Sequence, residues 1–170
     1  VYYGVIDNYV ARDEGYCFFF FFKYIERILN SVNLIRKQWI LYGEDLLDND
    51  YSNWRYFLSS VSGYDFYLRN NLGTMEKERI FYQMIYEPLF PNSITYSLNE
   101  LDKFAKQLNS GEQGESDETV GFFIGKCIAN VQFTRHPRTR EEKMLFLARI
   151  ESDIYEISNI FNHQFFGFVV

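Results

Sequence analysis

A chain of 170 residues is the size of one ordinary domain, and 47% apolar with 24% charged side chains is a globular mixture that excludes disordered, collagen-like and low-complexity classes. Seventeen basic side chains against 23 acidic ones give a formal charge of −6, which disfavours bulk attraction to nucleic-acid phosphates. Three prolines, ten glycines and a 20% aromatic share predict long uninterrupted elements with many large rings to bury.

Residues 1–10 fit a short helix or a strand, and Gly15 reads as a break after them. The run Phe18, Phe19, Phe20, Phe21 and Phe22 follows. Five successive residues turn through about 400° on an α-helix, so all five rings cannot face one core, and surplus aromatic surface is the usual mark of a contact site. Ile25, Ile28, Leu29, Val32, Ile35 and Trp39 then recur at helical spacing, which predicts a long helix ending near Gly43. A second helix is predicted from the Asp48 to Ser52 region, carrying Trp54, Phe57, Leu58 and Val61 inward as far as Ser62-Gly63. The segment 64–72 carries no clear signal. Thr74 suits the cap of a third helix with Glu76 and Glu78 in its first turn and Ile80, Phe81, Met84 and Ile85 buried, stopped by Pro88 and Pro91.

Ser97 and Glu100 have the spacing of a capping box ahead of Leu101, Phe104, Ala105 and Leu108, which predicts a helix to Ser110. The acidic stretch 111–118 lacks apolar anchors and reads as a mobile loop. Beyond it Gly121, Gly125 and Ala129 recur every fourth residue, a smooth strip suited to close helix contact. Thr139 and Glu142 form another capping box, and Leu147, Ile150, Ile154, Ile157 and Phe161 repeat in steps of three and four. No alternating strand pattern, hairpin dipeptide or repeat occurs. The expected fold is all-α: a single-domain bundle of about six helices with short connections.

No uncharged apolar run reaches the roughly 18–20 residues of a spanning helix, so the chain as given carries no membrane span. It opens on Val1 and ends Phe-Phe-Gly-Phe-Val-Val, so the lack of a leader or tail anchor carries no weight. Cys17 and Cys127, far apart and among apolar residues, favour a reducing compartment such as the cytoplasm and read as small buried hydrophobes.

Few constellations suggest chemistry. Arg135, His136, Arg138 and Arg140 precede a predicted helix start, where cations and backbone amides attract anions; Glu141 and Glu142 stand close enough to satisfy them internally. His163 and Glu156 share a helix face but lie about 10.5 Å apart along it, too far for an acid–base pair. The arginine four to six residues ahead of a histidine that HEPN-type ribonucleases use is missing before both His136 and His163. Asp48, Asp50 and Ser52 occupy the first positions of a calcium loop, but Asn53 replaces its glycine and Ser59 its final glutamate. No cofactor, zinc or phosphate-loop motif is present. The sequence therefore points to a noncatalytic interaction or assembly module that meets a protein partner or a second copy through Phe18 to Phe22 with Phe165, Phe166 and Phe168. The alternatives are a phosphate- or nucleic-acid-binding enzyme or regulator using Arg135, His136, Arg138 and Arg140, and a carrier of an apolar small molecule.

Overall fold

A computed structural model describes residues 13–43, 51–71, 73, 75–109 and 119–167, which hold seven helices. They are α1 (Glu14–Tyr42), α2 (Tyr51–Ser60), α3 (Tyr64–Asn70), α4 (Lys77–Tyr86), α5 (Ile94–Asn109), α6 (Val120–Phe133) and α7 (Arg140–Phe166). Among these residues no helix is long and apolar enough to cross a membrane. The readings placed on residues 1–10, on Asp48 and Asp50, on Thr74 and on 111–118 lie outside the described residues.

Gly15 does not break the chain. The Asp13 carboxylate accepts from the Tyr16 amide at 3.0 Å, capping a helix that begins at Glu14 and takes Gly15 into its first turn, so the phenylalanine run is helical. α1 then runs 29 residues, and its stripe of Ile28, Val32, Ile35 and Trp39 lies in the core.

α1, α5, α6 and α7 close a four-sided ring, in which α1 packs on α5 and α7, and α6 packs on α5 and α7. Side-chain pairs fix every neighbour as antiparallel. Phe20 near the start of α1 stacks on Phe104 late in α5, at 5.2 Å between centroids. Further along α1 the Ser31 hydroxyl donates to the Asn92 carbonyl just ahead of α5. Phe21 stacks on Phe161 of α7 at 3.9 Å, while Arg36 meets Glu151 at 2.6 Å. Asn130 late in α6 donates to Asp153 of α7, and the Val120 amide at its start donates to Gln164. α2, α3 and α4 fill the connection between α1 and α5. Trp39 of α1 meets Trp54 of α2 and Phe81 of α4 edge-on, at 4.6 and 5.1 Å, so this insert sits over the far end of α1. α3 is the helix that lacked a signal, and of its residues Tyr67 is buried.

α5 starts earlier than its apparent capping box. The Ser93 hydroxyl accepts from the Tyr96 amide at 3.0 Å and donates to the Glu87 carbonyl, so Ser93 is the cap. Ser97 lies one turn inside, buried, with its hydroxyl on the Ser93 carbonyl. α4 begins at Lys77 with Glu76 at the cap position and no side-chain cap bond.

The strip on α6 faces outward. Val120, Ile124, Cys127 and Val131 turn into the core, which carries Gly125 and Ala129 to the exposed side. A methyl group added at Gly125 would meet nothing within 4 Å, so close helix contact is not what this strip does in the folded chain.

The Thr139 box stands as read: Thr139 accepts from the Glu142 amide, and Glu142 accepts in return from the Thr139 and Arg138 amides. Those backbone donors, and after them the Arg135 and Arg138 guanidiniums, hold the Glu142 carboxyl below its ordinary range. A carboxyl depressed on folding stabilises above its unfolded pKa and loses that contribution as pH falls through the folded value. The melting-temperature gap between wild type and Glu142→Ala is therefore expected to be full at neutral pH and to narrow below about pH 4. A gap that widens on acidification would contradict the assignment.

Candidate functional site

The five rings of the run divide by their position around α1. Phe20 and Phe21 are core side chains, stacked on Phe104 and Phe161, and present no surface to a partner. Phe18, half-buried, lies against Phe161, Phe165 and Phe166 at 5.4 to 5.6 Å. Phe22, one turn on from Phe18, packs edge-on against Phe161 and keeps 37% of its surface exposed; Phe166 keeps 50%. Phe19 is 38% exposed and meets Phe20 edge-on. Phe168 lies outside the described residues. The start of α1 and the end of α7 thus join in one aromatic surface at one end of the ring.

The arginine–histidine cluster does not converge. Arg140 turns away to donate to the Ile40 carbonyl of α1. Arg135 is exposed, and its charge and that of Arg138 act on the chain's own Glu142. His136 instead packs edge-on against Tyr86 at 4.5 Å and lies 6.0 Å from Tyr82. His136, buried Pro137 and Arg138 form one wall of a cleft of about 470 Å³ whose other wall is Glu78, Phe81, Tyr82 and Tyr86 of α4. His163 and Glu156 are both exposed on α7.

One residue gave no signal in the sequence. Lys143, in the first turn of α7, is 2% exposed. Its ammonium donates to both oxygens of Glu78 at 2.7 Å and lies 5.3 Å from the Phe81 ring centre and 5.9 Å from that of Trp39. Glu78 opens a Glu-Arg dipeptide, and Arg79 beside it reaches back to Glu76 at 2.8 Å. The chain holds a second such dipeptide, Glu26-Arg27 in α1, whose arginine donates to the Pro91 carbonyl at 3.1 Å. Each dipeptide therefore supplies one tie between elements distant in sequence: the glutamate from α4 to α7, the arginine from α1 to the loop before α5.

A family described as a predicted α-helical domain with a conserved ER motif matches residues 1–166. The chain belongs to the Alpha-E family. In this Alpha-E domain Glu26-Arg27 and Glu78-Arg79 are the two places where the motif's residue pair occurs, and Glu26, Arg27 and Glu78 line clefts. No curated protein and no solved structure matches it significantly.

The thiols of the Alpha-E chain are poor nucleophiles. Burial pushes both up, Cys127 to about 12 with Asp153 adding to the effect, and Cys17 with help from Asp13 and Glu14. Among the described residues no three His, Cys, Asp or Glu side chains gather as metal ligands.

Proposed function

We propose that this Alpha-E domain is a noncatalytic helical assembly module that joins a second copy of itself through the aromatic end built from Phe18, Phe22, Phe165 and Phe166. The observation that carries the reading is the exposure of Phe22 and Phe166 beside a cluster of rings already packed on one another. A phenylalanine ring buries on the order of 150–250 Å² in all, of which Phe22 keeps 37% and Phe166 50% available for a contact, and these uncharged rings can meet their copies around a two-fold axis even on a chain of net charge −6. A stable contact needs about 800 Å² from each partner, so the rings would form the centre and the polar ends of α1 and α7 the rim.

Light scattering on a size-exclusion column, over a range of protein concentrations, tests this. Wild type is expected to move towards twice the monomer mass as concentration rises. A Phe22→Ser, Phe166→Ser variant is expected to stay monomeric with its helical signal intact. A wild type that remains monomeric throughout, or a double variant that associates as wild type does, overturns the proposal.

A further inference from the structure

The aromatic end lies at the start of α1, whereas the cleft between α4 and residues 136–138 lies beside Trp39, about 30 Å further along that helix. The two surfaces are independent. At about 470 Å³ the cleft falls within the usual range of small-molecule sites, and its lining follows their usual pattern of apolar walls with few polar groups. Tyr82 and Tyr86 stand 5.3 Å apart with His136 edge-on to both, and Tyr82 is among the more exposed rings of the chain. Of the charges on the rim, the Glu78 carboxylate is committed to Lys143 and is therefore neutralised towards a ligand. The Arg138 guanidinium also acts on Glu142, but that carboxylate already accepts from two backbone amides, which leaves the guanidinium's charge to share with a ligand. Its amide serves Glu142 and its carbonyl accepts from Lys143, so the side chain is not what holds the backbone here. The Tyr86 hydroxyl is sheltered from solvent without a hydrogen-bond partner, a deficit that normally costs about 1–3 kcal/mol.

The other clefts read differently. One, about 860 Å³ between α1 and α5, is rimmed by Asp13, Glu14 and Glu100 together with Lys23 and Lys103, a mixture of signs that selects no one ligand. The cleft beside Glu26-Arg27 is only about 260 Å³, and its Arg27, Ser31 and Asn92 each already donate to a backbone carbonyl.

We propose that the cleft between α4 and residues 136–138 binds a small flat anion, its ring against Tyr82 and His136 and its carboxylate or phosphate on Arg138. A planar ring stacks well on an aromatic wall, and a guanidinium fork pairs with either oxyanion.

Four probes separate the contributions: adenosine monophosphate, indole-3-acetate, inorganic phosphate and neutral indole. Calorimetry reads binding of all four, and the fluorescence of Trp39, which touches the cleft residue Phe81, gives a second readout for adenosine monophosphate and phosphate. Saturable binding of one or both ring anions is expected, with phosphate alone and indole alone at least about tenfold weaker. Preference between the two ring anions tells phosphate from carboxylate. Tyr82→Ala and Arg138→Gln, each checked for an unchanged melting curve, are expected to weaken binding about tenfold or more, and Arg140→Ala to leave it alone. The proposal falls if neither ring anion saturates at about 10 mM. It also falls if phosphate alone binds as well, indicating an adventitious ion only, or if both cleft variants bind like wild type.

Discussion

Truncating Phe21 to alanine is expected to destabilise the fold by about 3–5 kcal/mol and to lower the melting temperature by on the order of 10 °C. The ring is fully enclosed and stacks at 3.9 Å on Phe161, so its removal empties a space between α1 and α7 that neither helix can collapse to fill. Phe22→Ala, one residue on, removes the same atoms from a position that keeps a third of its surface in water, and about 2 kcal/mol is expected. Chemical denaturation of the two variants side by side measures the difference. Equal losses would mean that the run is not rotated as the packing of α1 requires.

The tie between Glu78 and Lys143 gives the second large effect, and the two partners are not equivalent. Glu78→Ala leaves an ammonium that is 2% exposed with only the Arg138 carbonyl at 3.4 Å and two ring faces for company. Breaking a buried pair from one side costs about 3–5 kcal/mol; the Glu78 side chain is 58% exposed, water screens the pair, and about 2 kcal/mol is the expected loss. Lys143→Met removes the charge instead and leaves an unbranched apolar chain between Trp39 and Phe81. Its stability is expected within about 1 kcal/mol of wild type, or above it. Adding Lys143→Met to Glu78→Ala should then recover most of the loss. A double variant no better than Glu78→Ala alone would show that Glu78 acts on something other than the buried ammonium.

Local chemistry explains what the sequence revealed. The start of α7 was legible because a capping box is closed by residues three apart, and its buried stripe because Leu147, Ile150, Ile154, Ile157 and Phe161 repeat at the helical period. Ser97 and Glu100 have the same spacing without the role: Ser93, two residues after Pro91, makes the cap through a hydroxyl that also reaches back to Glu87. Gly15 looked like a break because an Asp13 cap outweighs a glycine only once the long helix behind it has packed. The outward turn of Gly125 was present in the pattern, since Val120, Ile124, Cys127 and Val131 already define the inner face of α6. The cleft is another matter. Tyr82 and Tyr86 meet His136 across some fifty positions of chain, and nothing local marks Lys143 as the lysine that goes inside.

The four-sided ring closes between its first and last members, which has a bearing on how the chain is made. As synthesis proceeds, α5 emerges in time to shield Phe20 with Phe104, but Phe21 has no cover until Phe161 leaves the ribosome. Between the emergence of α6 and that of α7 the nascent bundle is three-sided, with a phenylalanine seam open along α1. That interval is when a chaperone has something to hold, and when a stalled or prematurely terminated product would be stickiest.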